Sequence, residues 1–331
     1  METRPLPALD RNISAVGVGT WQLGTDWGEV TADDATATLQ AALDAGVTFI
    51  DTADVYGDGR SERFVGAFAT AHPDAGLTIA TKMGRRVEQL PENYTRDAFL
   101  AWNDRSRRNL GVDTIDLVQL HCPPSEVISA ERTWDWLEEM VADGRIRAYG
   151  VSVETCAQAL DAMRRPGCAS VQIILNVFRR KPLEQVLPTA QATSTAIIAR
   201  VPLASGLLSG RYTADTTFPA SDHRNYNRDG SAFDIGETFS GVPFDVGVKA
   251  AQEFTALCRE LGPAGASPAQ VALRWILDQP GVTTVIPGAR NAEQARANAA
   301  AAALEPLSEQ LHAALADLYD RRIRAHVHDR W

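Results

Sequence analysis

The sequence predicts an α/β protein, an eight-stranded parallel (β/α)8 barrel of the TIM type with an N-terminal β-hairpin and extra C-terminal helices. Three observations lead there. Short β-branched or apolar runs recur, each followed by a helix-length amphipathic stretch, the pattern of a parallel sheet with right-handed crossovers. Eight such units fit within 331 residues, which suits a closed barrel better than an open sheet. Polar residues also stand at the C-terminal ends of successive predicted strands, where such barrels carry their chemistry. The runner-up is an open Rossmann sheet. It expects Gly-x-Gly-x-x-Gly after the first strand, and Gly17, Gly19 and Gly24 have the wrong spacing.

Residues 2–13 precede the first unit and are expected to form a hairpin plugging the barrel floor. Val16–Gly19 is the first strand, and Thr31 with Asp34 three positions on caps the helix that Gly46 closes. Val47–Asp51 and Thr78–Lys82 read as the next strands, with helices near 61–69 and 96–110. Ile115–His121 is the fourth strand; its helix places Val127, Trp134, Leu137 and Val141 on one face and ends at Gly144. Ile146–Ser152, Val171–Leu175 and Ala196–Arg200 follow, separated by helices near 155–164 and 182–193. Residues 206–243 have no lasting period and are rich in Gly, Ser, Asp, Asn and Arg, which suggests a functional loop over a site. A long helix through Phe244, Val248, Ala251, Phe254, Cys258 and Leu261 comes next. Ser267-Pro268 opens another, capped by the serine with proline at its first position. Val282–Ile286 is the eighth strand, and helices near 291–303 and 308–325 finish a chain read as one barrel domain over 1–331.

The composition is close to the globular average: 45% hydrophobic, 22% charged and 7% aromatic. A net charge of −10 argues against a nucleic-acid or anionic-membrane partner, so any phosphorylated ligand must be met by locally gathered cations. Apolar stretches are broken within about ten residues, short of the roughly 20 a membrane span needs. The first residues lack an apolar signal core, so export is not expected. Cys122, Cys156, Cys168 and Cys258 form no Cys-x-x-Cys pair and suit neither a zinc site nor a disulfide framework, which agrees with a reduced cytoplasm. His326 and His328 invite a metal reading, but without a third ligand they read as a solvated tail, and no metal is expected. Nothing indicates an oligomer.

Asp51, Lys82 and His121 end three consecutive strands, and Tyr56 lies in the loop just after Asp51, so the four can converge on one mouth. A tyrosine is a poor proton donor at neutral pH, and a nearby ammonium lowers its pKa by favouring the phenolate. A carboxylate holds such a lysine charged and aimed, and a histidine opposite orients a carbonyl or passes a proton. With no nucleophile or metal cluster, the set reads as a proton donor facing a reducible carbonyl.

Gly17-Val-Gly-Thr-Trp21, Asp51-Thr-Ala-Asp-Val-Tyr56-Gly, Thr81-Lys82, Asp116-Leu-Val-Gln-Leu-His121, Gly150-Val-Ser152, Pro202-Leu-Ala-Ser-Gly-Leu-Leu-Ser-Gly and Ile286-Pro-Gly-Ala-Arg-Asn-Ala-Glu-Gln294 together resemble the aldo-keto reductase superfamily over nearly the whole chain. The resemblance implies NADPH-dependent reduction of aldehydes and ketones, with Tyr56 protonating the carbonyl oxygen, Asp51 and Lys82 tuning it, and His121 orienting the substrate. For the cofactor, the Pro287-Gly288-Ala-Arg290 segment runs into a helix start where Asn291 and Gln294 resemble a capping box, a natural anion site. By resemblance, Arg290 faces the adenosine 2′-phosphate, Gln294 and Asn298 hold the adenine end, and Leu203, Ser205 and Leu207 lie along the pyrophosphate. Ser152 and Gln172 match nicotinamide contacts, whereas Val153 replaces a common Asn and Arg200 replaces the stacking aromatic. Trp21, Trp27, Tyr226 and Phe233 are the expected substrate wall for a small carbonyl compound. The alternatives are a cofactor-binding regulatory subunit with little turnover and, remotely, a barrel glycosidase, for which His121 and Arg200 occupy the expected acid positions.

Overall fold

The computed structural model describes residues 1–24 and 30–331, which leaves Trp27 outside the described residues. Two short antiparallel strands, β1 (Thr3–Leu6) and β2 (Arg11–Ser14), form the expected hairpin. Eight parallel strands follow in sequence order: β3 (Val18–Gly19), β4 (Phe49–Asp51), β5 (Thr78–Met83), β6 (Ile115–His121), β7 (Ile146–Ser152), β8 (Cys168–Ile174), β9 (Ala196–Arg200) and β10 (Val282–Val285). Parallel bridges Val16–Val285 and Gly19–Gly288 join the two ends, with Gly17 N donating to Val285 O at 2.8 Å, and so close the barrel.

Alternation along the strands sorts the interior into layers. Leu6 and Ile13 of the hairpin pack under Phe49, Ala80, Leu117, Ala148, Ala169, Ala196 and Ile198, a buried apolar floor. Small alanines on four strands leave the room that the hairpin fills. Two positions further along the same faces come Lys82, Gln119 and Arg200, and His121 and Ser152 stand at strand ends. The polar layer therefore sits directly above an apolar one. Arg4 ties the hairpin to the last unit by donating to Val282 O at 2.6 Å and Leu277 O at 2.8 Å.

The outer helices follow the sequence signals closely where caps are strong. Thr31 and Asp34 form a capping box on the helix Ala32–Asp44, and Ser267 and Gln270 form another on Pro268–Leu277. The helix after β6 differs from expectation. It is two helices, Ser125–Ser129 and Glu131–Ala142, broken at Ala130, whose ψ is 121°. The restart turns the buried face onto Trp134, Leu137 and Met140 and leaves Val141 36% exposed. Residues 206–243 carry only short helical turns, among them His223–Tyr226 and Ile235–Glu237. His328 is buried, against expectation: its Nδ1 lies 2.8 Å from the Tyr319 hydroxyl and its Nε2 2.9 Å from Glu184. No helix among the described residues is long and apolar enough to cross a membrane.

Candidate active site

The strand ends place Asp51, Lys82 and His121 around one mouth, and the turn after β4 brings Tyr56 beside them. Lys82 and Asp51 form a buried ion pair, and the same ammonium donates to Thr52 O at 2.9 Å and to the Tyr56 hydroxyl at 3.3 Å. The second Asp51 oxygen accepts from Gln172 Nε2 at 2.8 Å and Gln119 Nε2 at 3.1 Å, and Gln172 Nε2 also reaches Gln119 Oε1 at 3.2 Å. The Tyr56 and His121 rings meet edge to face, 5.9 Å between centroids. Thus Asp51 is fixed from three sides, Lys82 is fixed by Asp51, and the phenol hydroxyl faces the ammonium.

Electrostatics here depart from the simple expectation of a lowered phenol. Burial pushes the Tyr56 pKa up, and Lys82 pulls against it without prevailing. For Lys82 itself, burial opposes the charge, but Asp51 and Tyr56 more than offset it and hold the ammonium above its ordinary value. Burial, with help from Arg85, Lys82 and Arg200, drives the His121 pKa well below the ordinary imidazole range. His121 is therefore neutral near pH 7 and holds no imidazolium proton to pass.

A cavity of about 570 Å³ opens over this group, lined by Asp51, Tyr56 and His121 at one end and by Arg290, Gln294 and Asn298 at the other. Trp21, Gln172, Arg200, Leu203, Ser205 and Gly288 line it between these ends. Ser152 does not line it: its hydroxyl lies buried, 3.5 Å from Cys122 Sγ. The Leu207 side chain is buried in the core, packed over Gly247. Tyr226 is 38% exposed and meets Phe233, which in turn lies 6.1 Å from Trp21, so of the described aromatic residues expected to form a wall only Trp21 lines the cavity.

Several side chains are engaged differently from expectation. Gln172 spends its amide donor on Asp51 and Gln119. Ser205 Oγ donates to Glu237 O at 3.1 Å and accepts from Phe239 N at 3.0 Å, which ties the turn after β9 to residues 237–239 of the 206–243 region. Asn291 accepts from Gln294 N at 2.9 Å, but the Gln294 carboxamide reaches back to Arg290 N, not to the capping residue's own N–H. Arg200 does not present a free plane for stacking. Its guanidinium donates to Glu154 Oε2 at 2.7 Å and Val153 O at 3.0 Å and lies 3.7 Å from Glu237.

Sequence reasoning missed the rest of that network. Arg85 donates to Glu237 Oε1 at 2.7 Å and lies 3.5 Å from His121 Nε2. Burial opposes the Glu237 charge, yet Arg85 and Arg200 outweigh it and hold the pKa down at about 2, while burial lifts Glu154 to about 7. Cys122, Glu154 and Glu237 approach one another closely enough to suggest a metal site, but the Arg200 guanidinium already reaches all three. Burial pushes the Cys122 thiol up to about 12, so it is no nucleophile. Gln119 was findable, since it shares its strand face with His121 two positions on; Arg85 and Glu237, 152 positions apart, carry no pattern that links them.

The backbone beside the cavity is unusual as well. Val201, Ala204 and Ser205 take left-handed conformations, with φ of 52°, 48° and 54°, and Gly206 follows at 97°. Such backbone costs of order 1–3 kcal/mol per residue and concentrates at ligand sites. Across the cavity, Arg290 and Arg211 have no ion-pair partner among the described residues.

The model of the aldo/keto reductase family matches residues 15–320. The chain belongs to that family. Among curated relatives of this family member, the aldo-keto reductase YhdN of Bacillus subtilis is 32% identical over 289 residues, 86% of this chain and 83% of the relative. Among solved structures, a glycerol dehydrogenase from Gluconobacter oxydans is 32% identical with a TM-score of 0.78, covering 97% of this chain and 96% of that one. An aldo/keto reductase from Klebsiella pneumoniae, solved with NADP and acetate, is 25% identical with a TM-score of 0.71 and 96% coverage of both chains.

Proposed function

We propose that this family member reduces an aldehyde or ketone to an alcohol with NADPH, and that Tyr56 is the proton donor. The observation that carries the reading is the single ammonium of Lys82, bonded at once to Asp51, Thr52 O and the Tyr56 hydroxyl at the mouth of the cavity. The cofactor fit rests on the cavity's two ends: it runs from Tyr56 to Arg290 and Arg211, cations with no ion-pair partner among the described residues that suit a phosphorylated dinucleotide. Arg290, Gln294 and Asn298 would hold the adenosine end, and Leu203, Ser205 and Gly288 would border the pyrophosphate. NADPH, when bound, supplies the hydride.

The chain's own residues supply the rest. The raised pKa of Tyr56 keeps the phenol protonated at neutral pH, so a proton is present at its hydroxyl when the carbonyl oxygen gains negative charge. As that proton leaves, Lys82 at 3.3 Å answers the phenolate. Asp51 keeps Lys82 charged and in place, and Gln119 and Gln172 keep Asp51 in place. Neutral His121 packs across from Tyr56 and bounds the carbonyl's position. The chain works as one barrel unit, and the 206–243 segment borders the site through Arg211, His223 and Glu237.

The test is product analysis. With NADPH and small aldehydes, one alcohol should form per NADPH oxidised; NADPH loss without alcohol, or no reaction across aldehydes, ketones and dicarbonyls, contradicts the reading.

A further inference from the structure

Arg200 stands out because the catalytic reading gives its charge no task. It ends β9, lines the cavity and is buried. Its guanidinium reaches Cys122 Sγ at 3.6 Å, beside His121, so it belongs to the Tyr56 end of the cavity and not to the Arg290 end. Three further charges surround it: Glu154 at 2.7 Å, Glu237 at 3.7 Å, and Arg85, which donates to Glu237 at 2.7 Å. With both carboxylates ionised, these charges cancel. Burial and mutual repulsion work against that state, because oxygens of Glu154 and Glu237 lie within 4.8 Å of one another. Glu237 keeps two arginines and its charge. Glu154 has Arg200 as its one ion-pair partner among the described residues, its Oε1 has no hydrogen-bond partner there, and it takes up a proton as pH falls through about 7. Beyond these, Asp234 and Arg179 face Glu154 with opposite charges, while His121 is neutral and the Cys122 thiol stays protonated. The cluster is therefore net positive below about pH 7 and neutral above it.

We infer that Arg200 is a specificity-determining residue for the redox state of the cofactor: its charge, offset in part by Glu154 and Glu237, makes the site favour the uncharged dihydronicotinamide of NADPH over the cationic ring of NADP⁺. The inference rests on the reductase reading above. A hydride donor must touch the carbon whose oxygen meets Tyr56, so the nicotinamide belongs at the Tyr56 end, where Arg200 stands in the wall. The two cofactor forms share their phosphates and adenosine and differ in the charge of that ring. A fixed cation nearby separates them, and a buried setting strengthens the effect. A preference of this sign favours exchange of spent cofactor for fresh and so sets the chain toward reduction.

Calorimetric titration with NADPH and with NADP⁺, at about pH 6 and about pH 8, tests this without any substrate. The 2′-phosphate ionises in both forms, so the ratio of their dissociation constants cancels it. The wild type is expected to prefer NADPH, by about 3- to 10-fold more at the lower pH than at the higher. Glu154→Gln, which cannot ionise, should hold the low-pH preference at both. Asp54 also titrates near 7 and is still present in that variant, so a lost pH dependence belongs to Glu154. Arg200→Gln should move the ratio the other way and shrink the preference by about 10-fold. A merely structural role would not shift the two variants in opposite directions. A ratio unmoved by pH in the wild type, unmoved in Arg200→Gln, or shifted the same way by both substitutions would overturn the inference. Should Arg200→Gln fail to fold, the pH series and Glu154→Gln decide it. Failure of the wild type to bind either form would overturn the reductase reading and the inference with it.

Discussion

Asp54 shows how much the site asks of single residues. It lies in the turn between Asp51 and Tyr56, buried, with neither carboxylate oxygen finding a hydrogen-bond partner. Burial, and after it Glu62, raises its pKa from 3.8 to about 7. The native state therefore binds a proton that the unfolded chain has already released above about pH 4. The stability linked to that proton is complete below the unfolded value and is lost as pH rises through about 7. Asp54→Asn cannot ionise, so it should gain on the wild type as pH rises, by roughly 2–4 kcal/mol at pH 8.5 relative to pH 4. Melting temperatures of both proteins across that range read the difference directly, and a gap that stays constant with pH would refute it. At this scale the sequence was readable where a side chain sits at a strand end. Asp51, Lys82 and His121 announce themselves by position, whereas Gln119, on the same strand face as His121, was missed although alternation places it there. The sign of the Tyr56 shift was not readable, because it depends on how deeply the phenol is buried and not on which residues neighbour it.

Among the elements, the segment around Glu237 is held between two clamps. Inside, Arg85 and Arg200 grip the Glu237 carboxylate. Outside, Trp331 lies against Gly236 and Gly241, its Nε1 donates to Asp234 Oδ1 at 3.0 Å, and Arg179 stacks 3.6 Å from its ring centroid. Gly241 has φ of 78°, and a Cβ there would stand 2.3 Å from the indole, so both its backbone and its space require glycine. Trp331→Ala should release this segment. Hydrogen exchange of residues 234–241 should speed up while the strands stay protected, at a stability cost of about 3 kcal/mol, the low end for truncating a buried tryptophan. Unchanged exchange in that segment would show that the inner clamp suffices. Strong caps made helix starts legible, as at Ser267-Pro268, Thr155 and Ser308, while the far ends of the last two fall short of the expected 164 and 325, at Ala162 and Arg322. The break at Ala130 was not, because the apolar spacing on either side runs on through it and Ala is a good helix former. The aperiodic 206–243 region could be read as a loop over a site but not as a clamp, since its partners come from Arg85, Arg179 and Trp331, far away in sequence.

For the whole molecule, a net charge of −10 makes the local cations informative. Arg290 and Arg211 flank the far end of a cavity whose near end holds Tyr56. If Arg290 meets the extra phosphate that separates NADPH from NADH, Arg290→Ala should weaken NADPH binding by about 10- to 100-fold and leave NADH nearly unchanged. Fluorescence titration with both cofactors tests this, and equal weakening of the two would move the phosphate elsewhere. The barrel itself was legible because eight repeats of one pattern reinforce each other, with β4 to β9 placing polar residues above an apolar floor. The central claim joins that architecture to one proton. The most direct measurement follows NADPH oxidation at saturating aldehyde by the wild type and Tyr56→Phe, with NADPH affinity determined for both. The account predicts equal affinity and a rate lowered about 10²- to 10⁴-fold in the variant. Equal rates would mean that the proton comes from another group.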